Sequence, residues 1–118
     1  VVDSAHRISV ANVKDLEEYQ EIIDGIIGYA HHEVTTIKNG GISCWNAAQL
    51  EQIIIPEMSV LLQYLSRGEL FLKYGKQQRL LESSYMLTDS INSLTNTPLG
   101  IQISMLQKKI CSQEEDKG

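Results

Sequence analysis

Residues 12–38 read NVKDLEEYQEIIDGIIGYAHHEVTTIK. Val13, Leu16, Ile23, Ile26, Ile27, Ala30, Val34 and Ile37 recur three or four residues apart, with Tyr19 or Gln20 filling the gap. That spacing places them on one face of a long amphipathic helix. Asn12 suits its N-cap, and Asp15 follows three residues on, where a carboxylate meets free N–H groups and the positive helix end. Asn39-Gly40-Gly41 predicts the stop, because Asn and Gly accept the left-handed conformation past a helix end. Gly25 and Gly28 lie inside the helix and cost about 1 kcal/mol each relative to Ala. The expected compensation is close approach by another helix, or a bend.

Downstream, a second helical unit begins near Ser43 or Asn46, where Asn46-Ala47-Ala48-Gln49 has capping-box spacing. Leu50, Ile53, Ile54, Met58, Leu61, Leu62 and Leu65 form its apolar stripe, which keeps phase across Pro56. A proline there removes one helix hydrogen bond, so a single helix kinked at Pro56 is expected, ending at Gly68. Residues 69–75 fit a short strand or a helix equally well. From Lys76 the helical period returns through Leu80, Leu81, Ser84, Leu87, Ile91 and Leu94. Thr97-Pro98 reads as an N-cap and a first-turn proline. Leu99, Ile103, Leu106 and Ile110 face the last helix inward, and Lys108 and Lys109 suit its negative end.

Upstream, His6, Ile8 and Val10 alternate with Arg7 and Ser9, as a short strand or a lead-in would. The expectation is one all-α domain over residues 1–118: a small up-and-down bundle of about four helices, with an extended arm over 1–11 and a frayed tail over 112–118. Leu16, Ile23, Ile27, Leu50, Ile54, Leu61, Leu65, Leu81, Ile91, Leu99, Ile103 and Leu106 are its expected core.

The chain has 118 residues, 42% of them hydrophobic and 21% charged, with a formal net charge of -5. This argues against a nucleic-acid-coating protein, which needs a positive excess to displace counterions, and against an anionic membrane as the main partner. Nothing approaches the ~20 unbroken apolar residues of a membrane helix, nor is a secretory leader legible at the start. Cys44 and Cys111 are expected as reduced, partly buried thiols, which suits a cytoplasmic protein.

Chemistry is hard to find. A zinc-protease helix needs two His four residues apart, whereas His31 and His32 are adjacent and position 36 is Thr. No elbow exposes Ser43, Ser83 or Ser84. Gly25 and Gly28 lie inside a helix, and Asn39-Gly40-Gly41 has no Lys-Ser/Thr after it, so neither is a phosphate loop. The expectation is no catalytic set, no cofactor and no metal. Charge is more informative. Asp15, Glu17, Glu18, Glu21 and Asp24 place five acids in ten residues with no base among them. Glu17, Glu21 and Asp24 share one stripe at i, i+4 and i+7, although like charges so placed repel. Arg67, Lys73, Lys76 and Arg79 form a basic cluster among Tyr64, Phe71, Tyr74 and Tyr85, expected to balance the acidic helix within the fold or across a dimer. Residues 1–59 hold nine acids and three bases, while residues 60–118 hold six and seven. An acidic surface without a catalytic set suits a basic protein partner. Asp15, Glu17, Glu18, Glu21, Asp24, Tyr64 and Tyr74 are the candidate partner-binding residues.

Residues 56–82, PEMSVLLQYLSRGELFLKYGKQQRLLE, resemble the helical, Tyr- and Lys-containing stretches of small immunity proteins from bacterial polymorphic toxin systems, including contact-dependent growth inhibition. The resemblance covers about a quarter of the chain and transfers no individual residue. It implies a cytoplasmic protein that binds a sibling toxin, often a nuclease, and blocks its active site. The alternative expectation is a helical adaptor that binds a partner helix through an apolar groove. An enzyme using His31, His32 or a thiol is a third reading.

Overall fold

The computed structural model describes residues 6–10, 12–72, 81–89 and 93–112. Its longest element is the expected helix, α1 (Val13–Lys38). The Asn12 side chain accepts from the amides of Lys14 (2.8 Å) and Asp15 (3.4 Å), which satisfies two N–H groups that the helix itself cannot pair. At the other end Gly40 has φ +81°, its N–H bonds the Ile37 carbonyl, and the Gly41 N–H bonds the Thr36 carbonyl. This paired closure needs glycine twice. Gly40 must adopt the left-handed region, and a Cβ on Gly41 would stand 2.7 Å from Thr36 Cγ2.

The second unit opens with the capping box in place. The Asn46 N–H donates to Gln49 Oε1 (3.1 Å), and the Gln49 N–H donates to Asn46 Oδ1 (2.8 Å). A π-helical stretch, Gln49–Ile54, then runs into α2 (Ile55–Leu65). The Ile55 N–H reaches the Leu50 carbonyl five residues back. The departure from α geometry therefore lies ahead of Pro56. A proline ring crowds the carbonyl four residues back, and the wider turn places Pro56 at the start of regular helix, where its missing N–H is least costly.

The two stretches whose reading was ambiguous resolve together. β1 (His6–Ser9) pairs antiparallel with β2 (Glu69–Leu72), His6 opposite Leu72 and Ser9 opposite Glu69. The Val10 N–H continues the ladder to the Gly68 carbonyl at 2.8 Å. A two-stranded ribbon is thus added to the helical bundle. Val10 and Leu70 are buried beneath it.

After residues 73–80, which lie outside the described residues, α3 (Glu82–Asp89) is seated by side chains from two other helices. The Glu57 carboxylate of α2 accepts from the Glu82 N–H (2.7 Å), the Ser83 N–H (2.8 Å) and the Ser83 hydroxyl (2.6 Å). Gln107 accepts from the Leu81 N–H at 2.8 Å. A 3-10 turn, Ser93–Asn96, leads to α4 (Pro98–Ser112), capped by the Thr97 hydroxyl, which accepts from the Gly100 N–H at 3.0 Å. α4 packs antiparallel on α1.

The core is continuous across these elements. Tyr19, Ile23, Ile26, Leu50, Ile54, Met58, Leu61, Leu81, Leu99, Ile103 and Leu106 are buried together. Leu16 and Ile27, expected inside, pack at its margin, and Ile26 and Tyr19 take the central places. Ile91 lies outside the described residues.

Candidate protein-binding face

The acidic run on α1 divides into two groups. Asp15 and Glu18 turn toward α4, where Lys109 Nζ lies 3.4 Å from Asp15 Oδ1 and 3.2 Å from Glu18 Oε2. The same ammonium stands 4.9 Å from the centre of the Tyr19 ring, and the Tyr19 hydroxyl donates to the Lys109 carbonyl at 3.1 Å. Lys109 thus ties the start of α1 to the end of α4 through charge and a cation–π contact. The lysine is only partly exposed, but its carboxylates are more open, so the ion pairs contribute about 1 kcal/mol or less.

Glu17, Glu21 and Asp24 form the second group. All three are exposed, one helical face apart from Lys109, and no ion pair reaches them among the described residues. The sequence placed them on one stripe, and they do share one. Gly28 and His31 prolong the same exposed face, with His32 and Thr35 beside it.

Tyr64 is half-buried on α2, 5.6 Å beneath the Arg67 guanidinium. Tyr74 lies outside the described residues, as do Lys73, Lys76 and Arg79. The basic cluster was expected to balance the acidic helix. Among the described residues Lys109 of α4 is the base that meets the start of α1; the expectation for the basic cluster falls largely outside the described residues.

Cys44 and Cys111 are free thiols, and both are exposed where partial burial was expected. Cys44 sits on the loop after α1, and Cys111 projects from the outer side of α4. His31 and His32 are exposed on α1. Among the described residues no three His, Cys, Asp or Glu side chains gather closely enough to hold an ion.

Sequence reasoning missed three features. The first is Glu57, a carboxylate whose burial pushes its pKa above the ordinary 4.5. Strongly perturbed acids often mark active sites, but here the three donors of α3 engage the group as an interhelical cap. The second is the loop after α1. The Ser43 hydroxyl donates to Glu33 and accepts from the Trp45 N–H (3.1 Å), while the Trp45 indole N–H is buried without a partner among the described residues and Ile42 stands fully in solvent. The third is a set of exposed apolar side chains on the two packed helices, Tyr29 on α1 and Ile101 and Met105 on α4. A sequence signal existed for these last residues. Ile101 and Met105 are apolar, yet fall off the stripe of Leu99, Ile103, Leu106 and Ile110. Comparisons with protein-family models, curated proteins and solved structures find nothing that matches this chain.

Proposed function

We propose that this chain is a cytoplasmic immunity protein, a non-enzymatic inhibitor that binds a basic toxin domain, a nuclease, and blocks its active site. The reading rests on the exposed row Glu17, Glu21 and Asp24. Three like charges on one helix face repel slightly and cost the fold a few tenths of a kcal/mol. The same row becomes favourable against a basic surface, where complementary potentials speed encounter and set orientation. A nuclease offers such a surface, because it must hold phosphates. Carboxylates on a helix would imitate those phosphates or pair with the bases that bind them.

The test begins with capture of the partner from the native host, followed by inhibition assays with purified proteins. Wild-type protein is expected to inhibit the toxin stoichiometrically. Replacing Glu17, Glu21 and Asp24 together with Lys is expected to leave folding nearly unchanged, because exposed pairs contribute about 0–1 kcal/mol. Association should slow sharply, and its salt dependence should shrink or reverse. A folded triple variant that binds its partner with unchanged rate and affinity at low salt would refute the assignment of this face.

A further inference from the structure

The outer edge of the α1–α4 contact carries two rows of exposed side chains of different character. Two contacts locate that edge. Lys109 reaches Asp15 and Glu18, and the Gln102 side-chain oxygen stands 3.5 Å from where a Cβ on Gly25 would lie. Because the helices are antiparallel, one turn on from the Gly25–Gln102 level the register brings Tyr29 level with Pro98, and one turn back it brings Ile22 level with Met105. Pro98, Ile101 and Met105 follow one another at i, i+3 and i+7 on the exposed face of α4, with Ile101 47% and Met105 46% accessible. Tyr29 is 42% accessible on the α1 side. The other row is Glu17, Glu21, Asp24 and Gly28, at i, i+4, i+7 and i+11 on α1.

Gly28 ends the acidic row on its C-terminal side. It sits in the middle of a long helix, where glycine costs about 1 kcal/mol relative to Ala. Among the described residues, nothing lies within 4 Å of the position its Cβ would occupy. The neighbouring helices therefore give no steric reason for a glycine there, and the helix backbone is left bare on its outward side.

We propose that this seam seats one amphipathic helix of a protein partner. Its apolar side would pack on Tyr29, Ile101 and Met105, and its basic side would run along Glu17, Glu21 and Asp24 over the bare backbone at Gly28. The proposal rests on the reading of α1 as the partner-binding element and adds what the partner presents. Helices that dock in grooves do so through apolar anchors at helical spacing, and the seam offers such anchors at Tyr29, Ile101 and Met105. Charge selects the occupant. Between Lys14 and Lys38 the α1 sequence contains no Lys or Arg, so an acidic helix would be repelled. A purely apolar helix would desolvate three carboxylates without pairing them. A second copy would bring its own acids to the same seam. The row from Glu17 to Gly28 is about 17 Å long, or three helical turns.

A synthetic peptide of about 18 residues, leucine on one face and lysine on the other, is the direct probe. A Lys/Ser peptide of equal charge and a Leu/Glu peptide of equal pattern are the controls. Only the Leu/Lys peptide is expected to bind, and NMR should map it to Gly28, Tyr29, Ile101 and Met105. The double variant Ile101→Glu/Met105→Glu, which changes only exposed side chains, should weaken binding about tenfold or more. Val60→Glu, on α2, should leave binding unchanged. Equal binding of the Lys/Ser peptide, shifts centred on α2, or indifference to the double variant would overturn the proposal. So would dimerisation of the protein, in light scattering, that the double variant abolishes. The assay needs no toxin, so it stands apart from the inhibitor reading. A captured toxin that the double variant binds as well as wild type would remove the helix seat and leave inhibition intact.

Discussion

Glu57 is the most demanding test of how this bundle holds together. Its carboxylate bridges α2 to the start of α3, accepting two amides and one hydroxyl at 2.6 to 2.8 Å. In Glu57→Ala, the Glu82 N–H, the Ser83 N–H and the Ser83 hydroxyl lose their acceptor at once. Each buried unpaired donor costs about 1–3 kcal/mol. Water entering the vacated space recovers part of that, so a net loss of about 3 kcal/mol is expected. In a chain of 118 residues this lowers the melting temperature by about 12 °C. Urea denaturation gives the free energy, and amide exchange at Glu82 and Ser83 should accelerate more than exchange in α1.

The pH dependence tests the electrostatic half of the same reasoning. Burial raises the Glu57 pKa above 4.5; hydrogen bonds from the Ser83 hydroxyl and from the Ser83 and Glu82 amides oppose the shift, and the Glu82 charge adds to it. The folded protein therefore holds this proton more tightly than the unfolded chain. The stability contributed by the protonated group is fully present below the unfolded value near 4.5, and is lost as pH rises through the folded value. Glu57→Gln cannot titrate. The stability difference between wild type and Glu57→Gln should then shrink as pH rises from about 4 through the folded value, the other carboxylates cancelling in the subtraction. A difference that grows with pH would mean that the three donors outweigh burial, and would refute the reasoning. An undiminished melting temperature in Glu57→Ala would refute the cap itself.

Truncating Ile54 or Leu61, both buried in the centre of the core, to Ala should cost about 2–5 kcal/mol in chemical denaturation. Gly28→Ala should raise stability by up to about 1 kcal/mol, since its Cβ meets nothing within 4 Å among the described residues; a loss would show that the site is crowded. Gly41→Ala should have the opposite sign and lower the melting temperature, because its Cβ meets Thr36 Cγ2 at 2.7 Å. Asn12→Ala and Asn46→Ala each remove a cap and should cost about 1 kcal/mol, with added fraying of α1 or of the π-helical start seen by amide exchange.

The helices were legible because their signals are local. A 3.6-residue apolar period, an Asn at position 12, a reciprocal pair at Asn46 and Gln49, a Thr-Pro start and an Asn-Gly-Gly stop each act within a few residues of chain. The shared face of Glu17, Glu21 and Asp24 was legible for the same reason, since helix periodicity fixes it. What remained undecided depended on groups distant in sequence. Residues 6–9 and 69–72 each had a marginal pattern, and became strands because each supplies the other's hydrogen bonds across sixty residues of chain. The run of five acids was uniform in sequence, yet packing against α4 gave Asp15 and Glu18 a lysine and left the other three in solvent. Nothing local to Glu57 marks it for burial; its donors come from α3, about 25 residues on. Periodicity assigns a residue to a face of its own helix; only the neighbouring helix determines whether that face meets an ion, a hydrogen-bond donor or water.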